Sequence, residues 1–574
     1  MKFSSRAVFG FLVVAFLIGL LSLGFVLLFS SNRSVLTPAV FPARSPEITR
    51  VLLPGGQGVK VELYATLELV FTASVDPANP FDTYLLKLEV TDPKGRKLAF
   101  DGFYDGDGNG GQQGRVWKAR ISPYLEGIWT WRTLPGDAGD PALANLSGSF
   151  EVVPGHLTGG LVAKGRYFTL QSGEAFFPAG NFLDFSHNLT TTHTFMSEVL
   201  SDGQRDALIA RQRDFHGSNK ANLYLANRGD YKGQSVTPWV GTAAKNDKTR
   251  MDLARWHAYD GYIQRFSANS MLAELWFFAD DSNFGRLPEA DAERLIRYAM
   301  ARTSAFSGAL YVLALEWQEG FSAQAIDRLG EYTQAHNPWG RLLSVHGKSL
   351  ARWPFGSRGW AGFIDSQAYD VPARVVNEYA IGFHQGESIP HLAEEFGRLN
   401  RDSDPDKRAA VWASFCGGAA GVGTGSDLKA FLGFLSQSGV PFQRMRPAND
   451  LVSGGGSTRF VLAEVGHHYV VYSTGGGFIL DLAGDGWQGY WYNPRDPESS
   501  LGVAFSVLPG TQNFTPPVDQ DLDWVLWITD GRGLTAGRTH PSPGPDLLSI
   551  QVFSGGKPSR YLYFWVSRPS TDVN

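Results

Sequence analysis

The sequence predicts an α/β protein: a (β/α)8 barrel with a β-sandwich on either side and one transmembrane helix in front. Three observations carry that prediction. Short strand-like runs occupy both ends, strands alternate with helices through the middle, and a long uncharged apolar segment leads the chain. Among 574 residues there are 66 Gly and 31 Pro, and 13% are aromatic, which suits many turns and large cores rather than a coiled coil or a disordered chain. A net charge of −5 supplies no basic field for a phosphate backbone, so nucleic acid is excluded as a partner. The single cysteine, Cys416, rules out intramolecular disulfides and cysteine-cluster metal sites.

The leading segment, residues 7–29, holds no charged residue and is about long enough to span a bilayer with some tilt. Lys2 and Arg6 precede it and only Arg33 follows closely, so the positive-inside bias places the N-terminus in the cytoplasm and the bulk outside. A cleaved secretory peptide would have a shorter apolar stretch ending in small residues, and Phe29-Ser30-Ser31-Asn32 fits that poorly. The expectation is a signal anchor over 1–34, a single-pass cell-membrane protein with an extracytoplasmic body, or a secreted one if the segment is cleaved. A Pro-bearing linker follows at 35–49.

From 50 to 156, alternating runs at 59–63, 84–90, 115–121 and 128–132, separated by Pro, Gly, Asp and Asn, predict an N-terminal β-sandwich. Over 157–436 strand candidates at 176–183, 221–226, 271–278, 309–317, 342–346, 362–369, 390–397 and 411–418 alternate with helices such as 288–303 and 323–335. Eight such units match the length of a barrel, and no Gly-rich phosphate loop supports an open doubly wound sheet. From 437 to 574 strands return at 459–464, 468–472, 478–482 and 524–528, predicting a second sandwich with a tail that ends in a strand pair at 547–553 and 561–566.

Function in a barrel sits at the C-terminal ends of its strands. Glu316 ends the fourth candidate strand, where alternation places it on one face with Val312 and Ala314. Glu394 and Glu395 end the seventh, and in a regular strand only one of them faces the mouth. Two carboxylates there suit cleavage of a glycosidic bond, one donating a proton to the leaving oxygen and the other attacking the anomeric carbon. The candidate catalytic pair is Glu316 and Glu395, with Glu319 and Glu394 as rivals. Asn181, Asp184, Asn222, Trp276, His346, Gln367 and Tyr369 are the candidate substrate-binding residues, since sugars are held by aromatic faces and a few convergent polar groups.

No metal and no cofactor is called for. Asp105-Gly106-Asp107-Gly108-Asn109 imitates an EF-hand opening, but the twelfth position is Val116 instead of Glu. His467-His468 has no further ligands in view, and Cys416 reads as core.

Several motifs also carry a resemblance. Phe103-Tyr104-Asp105-Gly106-Asp107-Gly108, Arg115 to Pro123 and Gly127 to Trp131 resemble the N-terminal sandwich of unknown function found before bacterial barrel glycoside hydrolases. Phe177-Pro178-Ala179-Gly180-Asn181 resembles the first barrel strand of the apiosidase-like family. Ala463-Glu464-Val465-Gly466, Tyr469 to Ser473, Tyr490 to Arg495 and Asp523 to Leu526 resemble the collagen-binding-like sandwich often fused behind such barrels. The resemblance implies a retaining glycoside hydrolase acting on a polysaccharide or oligosaccharide, with Glu316 at the acid/base position and Glu395 at the nucleophile position. Where relatives carry Asn or Gly before the strand-four Glu, this chain has Leu315. The alternative is a non-catalytic surface protein that binds carbohydrate or matrix through a degenerate barrel.

Overall fold

The computed structural model describes residues 50–53, 59–76, 78–180, 202–226, 237–242, 245–278, 287–397, 404–423, 427–454, 458–532, 546–554 and 557–566. The apolar run at 7–29 and the candidates Asn181 and Asp184 lie outside them. Among the described residues, no helix is long and apolar enough to cross a membrane.

The N-terminal part is two facing sheets. Leu86–Thr91 alternates buried and half-buried residues, the mark of a strand with one face on a core. It pairs with Gly127–Pro135 and Lys97–Asp101 in a five-stranded sheet. The opposing sheet centres on Leu67–Thr72 and Val116–Ile121, and the rings of Phe71 and Trp131 meet edge-on across the gap at 6.0 Å. One topological feature departs from the sequence reading. The terminal strands Asp546–Ser554 and Lys557–Val566 lie in this first sheet, the latter antiparallel to Leu67–Thr72, and not behind the second sandwich. Such a pairing leaves no local signature, because each strand alone shows only its own alternation.

The middle of the chain is mixed α/β. Lys220–Tyr224, Leu272–Phe278, Ala309–Ala314 and Leu343–Ser344 form one parallel sheet, and Ile364–Gln367, His391–Glu395 and Gly421–Val422 another. A parallel bridge between His346 and Asp365 joins the two at one side. At the other side Ala179 bridges Val422, and its carbonyl accepts the Asn219 N–H at 2.8 Å. The helices Glu289–Thr303 and Ala323–Ala335 fall where Pro288 and Ser322 start them; the Ser322 hydroxyl accepts from Ala325 N.

The candidate strand at 411–418 is instead the end of the helix Pro405–Cys416, and the parallel strand follows at Gly421–Val422. Asp404 caps that helix by accepting the Asp406 and Lys407 N–H groups, with Pro405 in the first turn. Every residue from Lys407 to Cys416 is buried, so the apolar run has no helical stripe to distinguish it from a buried strand. Cys416 lies in this core, where burial pushes its thiol up, away from the thiolate.

That burial comes from the C-terminal sheets. In the six-stranded sheet, Phe460, Leu462, Val470, Tyr472, Val525 and Trp527 pack with the helices Pro405–Cys416 and Leu428–Ser438, and the Trp412 and Tyr472 rings stack at 5.8 Å. Alternate residues Val461, Ala463, Tyr469, Val471, Leu526 and Ile528 face the three-stranded sheet carrying Phe478, Leu480 and Phe514. His467 is paired with Asp530, and His468 with Thr529.

Candidate active site

The strand Ala309–Ala314 stops two residues before Glu316, earlier than alternation alone predicts. Glu316 then adopts a left-handed conformation, φ 40° and ψ 53°, which a non-glycine residue holds only where its surroundings compensate. His346 supplies the compensation. Its Nδ1 accepts the Glu316 N–H at 3.3 Å and its carbonyl accepts the Trp317 N–H at 3.1 Å. The imidazole is fully buried, and burial together with the Lys220 cation lowers its pKa to about 3, so it is neutral with its proton on Nε2.

Gln367, on the next sheet, ties this turn to the strand His391–Glu395. Its Nε2 donates to Glu316 Oε1 at 2.8 Å and to Glu395 Oε2 at 2.5 Å. The two carboxylate oxygens can therefore be no farther apart than those bonds laid end to end, 5.3 Å. Burial raises the Glu316 pKa, and nearby Glu319 adds to the rise against the opposing pull of Gln367 and Lys348. Glu319 itself is exposed and paired with Lys348. Its rival claim is weaker, because the Gln367 amide bridges Glu316 and Glu395.

Regular alternation predicts Glu394 and Glu395 on opposite faces; the structure puts a bulge there. Ser366 pairs with Ala393 and Gln367 with Glu395, so Glu394 is the extra residue. Both carboxylates consequently reach inward. Glu395 is half-buried beside Gln367, whereas Glu394 is fully buried, 3.0 and 3.3 Å from Lys220 Nζ and bonded to the Asn222 amide. Lys220 also contacts Glu274 at 2.5 Å. Burial opposes the lysine's charge, but Glu274 and Glu394 outweigh it and raise its pKa. Burial pushes Glu394 up to about 8 against the pull of Lys220. Asp365 is raised well above the carboxylate range, first by burial and then by Glu394 and Glu274, and neither of its oxygens has a hydrogen-bond partner.

Of the substrate-binding candidates, Gln367 lies between the two carboxylates, and Tyr369, two residues on, is half-buried with its N–H on Ser349. Asn222, Trp276 and His346 are fully buried below it. Asn222 holds Glu394, and Trp276 packs its ring against His346 at 5.3 Å. Lys220 is the residue that sequence reasoning missed; the available signal was a lysine at the head of an otherwise buried strand. Among the described residues, no cluster of His, Cys, Asp or Glu could hold a metal ion. In the EF-hand-like segment the Asp105 carboxylate is taken by Lys118 and Arg302, both at 2.7 Å, and by His257.

Residues 60–134 match the domain of unknown function DUF5060. No curated protein matches the chain. Among solved structures it is similar to a candidate glycoside hydrolase from Bacteroides vulgatus, with TM-score 0.63 and 16% identity over 88% of this chain and 100% of that one. A family 5 glycoside hydrolase from the same organism matches at TM-score 0.51 and 16% identity, over 68% of this chain and 97% of that one. Another glycoside hydrolase matches at TM-score 0.50 and 14% identity, over 65% and 97%. At these identities the likeness is one of fold.

Proposed function

We propose that this chain is a retaining glycoside hydrolase acting on a polysaccharide or oligosaccharide, with Glu316 as acid/base and Glu395 as nucleophile. The observation that carries the reading is the Gln367 amide shared by the two carboxylates, which limits their facing oxygens to 5.3 Å. Retaining enzymes hold their carboxyl groups about 5–5.5 Å apart, and inverting ones leave about 6.5–9.5 Å for a water. The raised Glu316 suits a group that must begin protonated. In the first step Glu316 gives its proton to the leaving glycosidic oxygen while Glu395 bonds to the anomeric carbon. In the second, Glu316 takes a proton from water as that water displaces Glu395 and frees the sugar.

The reading includes closure of the parallel segments 178–180 to 421–422 into a (β/α)8 barrel, for which the two bridging seams are the support. It keeps 50–156, 157–436 and 437–574 as sandwich, barrel and second sandwich, with the terminal strand pair lent to the first. It also keeps the run at 7–29 as the anchor of an extracytoplasmic protein. The test is hydrolysis of a panel of aryl glycosides and polysaccharides by the full chain and its Glu395→Gln and Glu316→Gln variants. Hydrolysis by the unaltered chain, with a fall of about 1,000-fold or more in Glu395→Gln, is the expected result. Undiminished turnover in either variant would remove that carboxylate from the mechanism. Glycan binding with no hydrolysis at all would favour a non-catalytic surface protein.

A further inference from the structure

We propose that Lys220, Asn222 and Glu394 are a positioning clamp beneath the carboxylate pair: they hold the strand bulge that turns Glu395 toward Gln367 and Glu316. The proposal rests on the reading of Glu395 as nucleophile, but its structural half can be tested without it.

In an unbulged strand the residue opposite Gln367 would be Glu394, and Glu395 would point away from it. The extra residue changes that, and an extra residue persists only where its side chain is satisfied in its new place. A buried carboxyl alone could not hold the bulge, because an unpartnered polar group inside a protein is strongly disfavoured. Lys220 meets both Glu394 oxygens, and Asn222 donates to one of them while its own carbonyl oxygen accepts from Lys220 at 2.7 Å. The remaining charged neighbours come from adjoining strands, Glu274 against Lys220 and Asp365 against Glu394.

The opposite wall is shaped for this arrangement. A Cβ at Gly423 would lie 2.3 Å from Glu394 Cδ and 2.1 Å from its backbone oxygen, so no larger residue admits the inward carboxyl without displacement. The Gly423 N–H bonds Ala393 O at 3.0 Å, and the Ala368 N–H bonds Glu395 O at 2.8 Å, which pins the strand on both sides of the extra residue. Lys220 and Asn222 bear on Glu395 by way of the Glu394 carboxyl and the strand that carries it, which makes the three of them positioning residues.

The experiment combines crystal structures with kinetics for Lys220→Met, Asn222→Ala and Glu394→Gln. Lys220→Met is expected to lose the bulge and the Gln367–Glu395 bond, and to lower kcat about 100-fold with little change in KM, the scale of effect that a small displacement of a reacting group produces. Asn222→Ala, the milder change, is expected to lose less and serves if the lysine variant does not fold. Glu394→Gln sets an amide NH2 where an oxygen now accepts from Lys220, and is expected to weaken the bulge less than Lys220→Met does, with an intermediate fall in kcat. A Lys220→Met or Asn222→Ala structure with the Gln367–Glu395 bond intact and unchanged kcat overturns the clamp. If the bulge collapses as expected but the unaltered chain hydrolyses no glycoside, the clamp stands and the assignment of Glu395 fails.

Discussion

Two groups of buried charges can be compared directly, one between the first sheet and its neighbouring helices, the other beneath the carboxylate pair. In the first, Glu68, Asp105 and Asp260 face Lys118, Arg120 and Arg302. Arg120 reaches Glu68 at 2.6 Å and Asp260 at 2.8 Å, and Arg302 reaches Asp105 at 2.7 Å and Asp260 at 2.8 Å. Acids and bases balance, and none of these six side chains leaves a buried polar atom without a partner. In the second, one lysine serves Glu274, Asp365 and Glu394, while Glu274 Oε1, both Asp365 oxygens and His346 Nε2 have no hydrogen-bond partner. A saturated network is what holds two surfaces together. An undersupplied one costs stability, and it lies directly under the groups that the reading makes catalytic, where such strain is expected to collect.

The comparison can be broken most forcefully at Arg302. Arg302→Met takes one buried cation from both Asp105 and Asp260, leaving three acids to two bases, and is expected to cost about 3–5 kcal/mol, read from the midpoint of denaturant unfolding. A loss under about 1 kcal/mol would mean that the network is not what joins the surfaces.

A second effect separates the clusters by pH. Asp260 is fully buried; burial opposes its charge, but Arg120 and Arg302 prevail and hold it at about 2. Its contribution is therefore present above its ordinary value of 3.8 and is lost as pH falls through 2. Glu394 runs the other way. With its folded pKa raised to about 8, the folded state binds the extra proton between 4.5 and 8, and stability falls as pH rises through that window. Thermal unfolding followed between pH 5 and 8 is expected to show that slope in the unaltered chain. Glu394→Gln is expected to make it shallower, Asp365 supplying what remains, while changing stability by only about 1 kcal/mol at pH 5. An unchanged slope would remove Glu394 as its source.

The smallest effect belongs to His257, at the half-exposed rim of the first network, 3.0 Å from Asp105. His257→Gln is expected to cost about 1 kcal/mol, because Lys118 and Arg302 still hold the carboxylate. A loss matching that of Arg302→Met would show that the rim, and not the buried pairs, holds the network.

The same contrast marks what the sequence could disclose. A strand with one face on a core, such as Phe478–Leu482, and a helix with a clear start, such as Ala323–Ala335, fall where alternation and capping put them. The helix Pro405–Cys416 does not, because burial on every side erases its period. Glu316, Gln367 and Glu395 were legible as polar residues at strand ends, and the structure brings them together. Their geometry was not legible. Alternation presumes an unbroken pleat, whereas Glu316 sits in a left-handed turn and Glu394 in a bulge. Lys220 lies 174 residues from Glu394 in sequence, a pairing that only the folded arrangement of strands reveals.

The central claim, that Glu316 and Glu395 work as a retaining pair, is tested most directly by trapping the covalent intermediate. The full chain would be treated with an activated 2-deoxy-2-fluoro glycoside of whichever sugar it hydrolyses, digested, and the labelled peptide located by mass spectrometry. The account predicts one glycosyl group per chain, on Glu395, and a hydrolysis product that keeps its anomeric configuration. A label on Glu394, or turnover with inverted configuration and no label, would contradict it.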